Sequence, residues 1–240
     1  MSRFLNEPVT CPYCGDIRER VVARSINAER SPDLREQILG SAFQRVECPA
    51  CGESFAIETP FTYIDRPRRE WILVFGEDDV ESFRELEATA DSTFELGAGP
   101  RAPLVARELF AGMKRRAVFG QLALTEKLLA WDAGLDDGAL EVLKASAFGL
   151  APRGVPIGSH HHVRLVAFTE DVFGFMSGSD TLEVELWEVD RRAYGPVAER
   201  CAAGDPLYAR ITEGPFVDIG RITVEGDRKL SLPLDGRSLY

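Results

Sequence analysis

The pentapeptide CPYCG at residues 11–15 returns almost unchanged as CPACG at residues 48–52, and no other feature of the chain restricts its fold as strongly. A two-residue spacer lets one turn present both sulfurs to a single ion, and four thiolates complete a tetrahedral metal site. Proline after the first cysteine fixes φ at the corner. Glycine after the second tolerates a tight turn with positive φ and lets backbone amides approach the sulfurs. Each pentapeptide therefore reads as a knuckle, and the two together predict one site built from Cys11, Cys14, Cys48 and Cys51. The stretch between Cys14 and Cys48 is longer than in a minimal zinc ribbon, so an ordered strand, helix and strand are expected between the knuckles.

Three chemistries use such cysteines. Structural Zn²⁺, one per chain, is the reading favoured by the ligand type, the repeated glycine and the absence of an apolar leader segment at the N-terminus. Rubredoxin-like iron takes the same ligands, but nothing else in the chain suggests electron transfer. Thioredoxin-like redox chemistry belongs to a βαβ pattern that the sequence does not suggest, and it leaves the matched second pair unexplained. A closed four-cysteine site has no open coordination position, so it is expected to fold the first unit rather than to catalyse. CPYCG, SPDLREQILG and VECPACGESFAIETPFTYID together resemble the CpXC domain, a bacterial family. That resemblance spans positions 1–75, and VFGQLALTEKLLAWDAGLDDGALEVLK is similar to a helical segment that follows in such proteins. It implies a zinc-ribbon-type fold and carries no established activity.

The expected fold class is α+β in three units: a zinc-ribbon-like β unit with a helical insertion over 1–76, a helical region over 77–150, and a small antiparallel β unit over 151–240. In the first, Ser31-Pro32-Asp33 predicts a helix start and Gly40 its stop. In the second, Val80, Phe83, Leu86 and Ala90 recur at helical spacing. A long helical run from Leu104 through Leu109, Met113, Val118, Leu122 and Leu129, divided at Gly120, is expected to follow and to close at Gly134. Beyond the Pro/Gly linker at 151–158, VRLVAFTEDVFGF, TLEVELWEV, YARITEG and DIGRITVEG all read as strands, with a bulge expected near Trp187.

Net charge is −11, unevenly spread: residues 1–75 carry 10 cations against 11 anions, 76–150 carry 8 against 14, and 151–240 carry 10 against 14. This balance opposes sequence-independent binding to phosphate backbones. No apolar run reaches the length of a membrane helix, and a cytoplasmic protein without membrane contact is expected.

The remaining candidates have ordinary explanations. His160, His161 and His162 lack a partnering carboxylate or cysteine at short spacing and read as a strand entry. Cys201 reads as an unreactive small thiol. Asp78-Asp79 and Asp136-Asp137 read as helix caps. Arg66, Arg68 and Arg69 near Tyr63 and Trp71 form a local basic-aromatic cluster, which suits single-stranded nucleic acid but fits an arginine-rich connection with Trp71 in the core better.

The function expected is a non-catalytic protein-interaction or assembly module, binding a protein partner or itself through Leu104, Leu109, Met113, Val118 and Leu122. Nucleic-acid binding by the first unit, and an enzyme with a site in the C-terminal unit, are the alternatives.

Overall fold

A computed structural model describes residues 2–149, 161–179 and 184–225. Strands β1 (Arg3–Thr10) and β2 (Ile17–Asn27) pair antiparallel, ending with Thr10 opposite Ile17, so the first knuckle is the turn of this hairpin. Pro8 lies in β1 at the outer edge of the sheet, where proline is tolerated and blunts pairing with other chains. Helix α1 (Pro32–Leu39) starts and stops where expected, yet the Ser31 side chain does not cap it; its hydroxyl lies 3.1 Å from that of Ser2. Strands β3 (Arg45–Glu47) and β4 (Ser54–Ala56) form a second hairpin around the second knuckle. Strand β5 (Phe61–Asp65) then runs parallel to β2 and antiparallel to β6 (Glu70–Phe75).

The middle region departs from the expected helices at one point. Helices α2 (Phe83–Ala98) and α3 (Leu104–Leu109) keep the predicted periodicity, with Phe83 and Ala90 buried. The continuing helix expected through Met113 and Val118 is instead interrupted by β7 (Lys114–Phe119), parallel to β6 at the far edge of a five-stranded sheet ordered β1-β2-β5-β6-β7. The physical reason is that β7 is covered on both faces: Ala117 and Phe119 pack on the α2 side, Val118 on the opposite side. A strand buried on both faces shows no clean alternation, and the spacing of Met113, Val118 and Leu122 then imitates a helix. Gly112 and Gly120, at φ +69° and +81°, bracket the strand. Helices α4 (Gln121–Asp132) and α5 (Asp137–Gly149) follow, separated at Gly134 as predicted.

The C-terminal sheet is β8 (His161–Phe168), β9 (Val172–Ser179) and β10 (Val184–Asp190), antiparallel and in that order. The bulge lies in β8, between Leu165 and Ala167; β10 pairs without a shift through Trp187, whose indole N–H donates to the Ser177 hydroxyl at 2.9 Å. Helix α6 (Tyr194–Ala202) comes next. The last two expected strands are helices, α7 (Pro206–Ile211) and α8 (Gly220–Glu225). Asp205 accepts from the amides of Leu207 and Tyr208, and Pro206 occupies the first helical position. GDP is thus a helix start, not a strand-ending turn.

Three apolar clusters result among the described residues. Helices α1 and α4 cover one face of the large sheet through Ile26, Ile38, Tyr63, Ile72 and Leu124. Helix α2 covers the other, where Phe83, Phe119 and Phe216 meet. Helix α5 packs on the C-terminal sheet and on α6–α8 through Leu140, Leu143, Leu165, Phe175, Val197 and Ile211.

Between α4, α5, β7, β8 and residues 217–220 lies a buried ionic network. Glu126 accepts from Lys144 at 2.9 and 3.0 Å, from the Leu165 amide at 2.7 Å and from Arg164 at 3.3 Å. Glu141 accepts from Lys127 and from the Ile219 amide, each at 3.1 Å, and pairs with Lys144 at 2.8 Å. Asp137 takes a two-pronged bond from Arg116 at 2.7 and 2.8 Å, and Asp218 pairs with Arg164. Burial alone would raise the Asp137 and Asp218 carboxyls, but Lys127 with Arg116, and Arg164 with Lys144, hold both well below the usual carboxylate range. Breaking a buried pair strands a charge, so Lys144→Met is expected to lower unfolding free energy by ~3–5 kcal/mol, read from urea denaturation.

Candidate metal centre

The two knuckles have the same backbone. The Cys11 amide donates to the Asp16 carbonyl at 2.8 Å and the Gly15 amide to the Cys11 carbonyl at 3.0 Å; Cys48 to Glu53 and Gly52 to Cys48 repeat this pattern at 2.8 Å each. Gly15 and Gly52 sit at φ +76° and +78°, the left-handed turn that the sequence predicts there. Each knuckle contributes one buried cysteine, Cys11 or Cys48, and one exposed, Cys14 or Cys51.

The four Sγ atoms lie within 4.8 Å of one another. Cys11 Sγ is 3.8 Å from Cys51 Sγ, and Cys14 Sγ is 3.7 Å from Cys48 Sγ. A disulfide requires about 2.05 Å, so these are free thiols held near contact distance. Four sulfurs placed about 2.3 Å from one ion at tetrahedral angles stand about 3.8 Å apart. The donor set therefore fits a tetrahedral metal ion. Backbone amides of Ala50 and Cys51 bring the Cys48 thiol down to about 7. The Glu53 amide acts the same way on Cys51, but desolvation by its surroundings and the three neighbouring thiols drive it up to about 12. Four thiols this close cannot all ionise without a cation to share.

Other sequence candidates fall elsewhere. Arg66 binds Glu29, and Arg68 reaches Asp65 at 2.9 Å and Asp132 at 3.7 Å. Trp71 is buried edge-on to Phe94, with ring centroids 5.3 Å apart. These residues form an ion-paired turn beside the core, not a stacking surface. Asp79 accepts from the Gly76 amide at 3.2 Å and Asp136 from the Ala139 amide at 2.8 Å, as caps do, whereas Asp137 turns inward to Arg116 and Lys127. Cys201 is buried in α6, and burial raises its thiol. His160 lies outside the described residues; His161 and His162 open β8 opposite Ser179 and Gly178.

Glu126, Glu141 and Asp218 also converge within 4.8 Å. Lys127, Lys144 and Arg164 already compensate them, so no net negative charge remains there to attract a metal. Sequence reasoning missed this network. Its one visible signal is the Glu126-Lys127 pair inside α4, whose surroundings are apolar on every side.

Knuckles on two hairpins, with four convergent thiols placed as a metal ion would need them, form a ribbon set on a mixed α/β sheet. The family model described as CpXC protein matches residues 9–144, more than half of the chain. The chain belongs to the CpXC family. That match carries the family past β6 through α4 and most of α5, beyond the stretch 1–75 that the motifs alone cover. No curated protein and no solved structure matches the chain.

A Cβ on Gly15 or Gly52 would meet no atom within 4 Å, so only backbone conformation requires glycine there. Gly15→Ala and Gly52→Ala are each expected to cost about 1–2 kcal/mol of metal-bound stability, seen as earlier metal loss in chelator competition.

Proposed function

We propose that this chain is a zinc-clamped, non-catalytic scaffold that works by self-association and that Cys11, Cys14, Cys48 and Cys51 are the ligands of one structural Zn²⁺. The observation that supports the clamp is the close approach of the sulfurs across the two knuckles, 3.8 Å for Cys11 and Cys51. The Cys14 and Cys48 sulfurs repeat it at 3.7 Å. Both separations match the edge of a zinc–thiolate tetrahedron. Four thiolates leave no open position for substrate, so the ion's contribution is folding free energy for the two hairpins. Free thiols suit a reducing compartment, and the cytoplasm is the location this reading assigns. Among the described residues no helix is long and apolar enough to cross a membrane.

The contact surface in this reading is the α2–α3 corner. Leu96 is 85% exposed, Val105 67% and Leu104 60%, with Leu109 beside them. Of the stripe expected from sequence, Met113 and Val118 are core residues, and Leu104 and Leu109 belong to this corner. Nucleic-acid binding gains no support from the arginine turn, since Arg66 and Arg68 are engaged by Glu29, Asp65 and Asp132.

Metal analysis of the purified chain by inductively coupled plasma mass spectrometry tests the clamp. About one zinc per chain is expected, with loss of metal and soluble protein in Cys11→Ser and Cys48→Ser. Iron, or no metal, would sink it. Light scattering over a dilution series tests the surface: a dimer that Leu104→Glu with Val105→Glu converts to monomer is expected, and monomer at every concentration removes self-association.

A further inference from the structure

The face of the large sheet under α1 and α4 ends in a group of polar side chains that the fold does not fully satisfy. Among the described residues, Glu70 Oε2, Tyr63 Oη and Arg35 Nε are buried without a hydrogen-bond partner. Tyr63, Asp65 and Glu70 share that face, because Tyr63 lies opposite Ile72 and Asp65 directly opposite Glu70. Glu70 and Asp65 are each 1% exposed and Tyr63 is fully buried. Two carboxylates facing each other across a ladder repel unless cations intervene.

The cations nearby are already committed. From α1, Arg35 gives its terminal nitrogen to both oxygens of Asp132 at 2.8 Å, and its Nε stands 3.9 Å from Asp65. From the β5–β6 turn, Arg68 binds Asp65 at 2.9 Å and approaches Asp132 at 3.7 Å. On β7, Lys114 is the register partner of Glu70 but sets its ammonium over the Trp131 ring, 4.8 Å from the centroid. Arg116, also on this face, is held by Asp137. Two guanidinium groups thus serve Asp65 and Asp132, and an ionised Glu70 would be a third anion without a cation of its own.

We propose that Glu70 is a proton-binding site, its carboxyl carried in the neutral form by the folded chain, so that ionisation of this one group makes the fold responsive to pH. Protonation removes the uncompensated charge and turns the unpartnered Glu70 Oε2 from an acceptor into a donor. Burial first, then Asp65 and Asp132 against the opposing pull of Arg35 and Arg68, lifts the Glu70 carboxyl from 4.5 to about 7. The folded value exceeds the unfolded one. The stabilisation is therefore complete below 4.5 and is lost as pH rises through about 7.

Carboxyl ¹³C NMR of the full, metal-loaded chain, with Glu70 assigned through bonds, is the direct test. A Glu70 midpoint near 7 is expected, and a midpoint near 4.5 overturns the proposal. Unfolding constants of the wild type and Glu70→Gln from about pH 5 to 8 supply a second readout. Acid-driven metal loss acts on both chains and cancels in their ratio, which is expected to change by about tenfold or more across that range. A constant ratio also overturns the proposal, and if Glu70→Gln does not fold, the wild-type titration decides alone.

Discussion

Four carboxylates and four cations are packed where α4, α5, β7, β8 and residues 217–220 meet, and the placement of β8 and residues 217–220 against α4 and α5 depends on them. Removing such charges from water is costly, and the cost is recovered only when each finds its partner in good geometry. Glu126 shows how strict this is: it requires Lys144 from α5, Arg164 from β8 and the Leu165 amide together. A slip of β8 by one residue would carry Arg164 to the opposite face and leave Glu126 short of donors. Apolar packing of α5 on Phe173 and Phe175 tolerates some variation in angle; the network does not.

The thiol cluster works on a different part of the chain by a different means. The β3–β4 hairpin is two three-residue strands, outside the five-stranded sheet, too short to be stable in isolation. Its internal links to the main body include Gln44, which accepts from the Ala23 amide and donates to the Ile57 carbonyl. A metal bridging Cys48 and Cys51 to Cys11 and Cys14 would tie this hairpin to the end of β1–β2. Helix α1, carried between the knuckles, would then be fixed at both ends of its loop, with Ile38 and Phe43 in the core beneath.

Local signals made the first unit legible. CPYCG and CPACG dictate both knuckles, Gly15 and Gly52 take the positive φ their position predicts, and Pro32 opens α1. The C-terminal antiparallel sheet was legible from its apolar runs, although VRLVAFTEDVFGF forms two strands and Val184 and Leu186 are exposed. Features set by distant partners were not. KRRAVF becomes a strand because β6 lies beside it and helices cover both its faces, information absent from its own spacing. Tyr208, Ile211 and Thr212 suggest a strand in YARITEG, but Asp205-Pro206 and the burial of Ile211 against α5 decide for helix; Ile222, Thr223 and Val224 suggest one in the segment that becomes α8. Asp136 and Asp137 look alike in sequence, and only the fold sends one to a cap and the other to Arg116.

The α4–α5 network and the polar group beneath α1 differ in one respect that determines their behaviour. In the α4–α5 network, carboxylates and cations balance, and amides of Leu165, Ile219 and Gly220 occupy further lone pairs. There Asp137 and Asp218 are held charged, whereas burial pushes the Glu141 carboxyl up against the pull of Lys144 and Lys127. Beneath α1, three carboxylates face two arginines, and among the described residues three polar atoms there have no partner. A deficit of one cation around a buried carboxyl is most readily met by a proton. Burial combined with a shortage of cations is what distinguishes Glu70, whose Oε2 has no hydrogen-bond partner among the described residues.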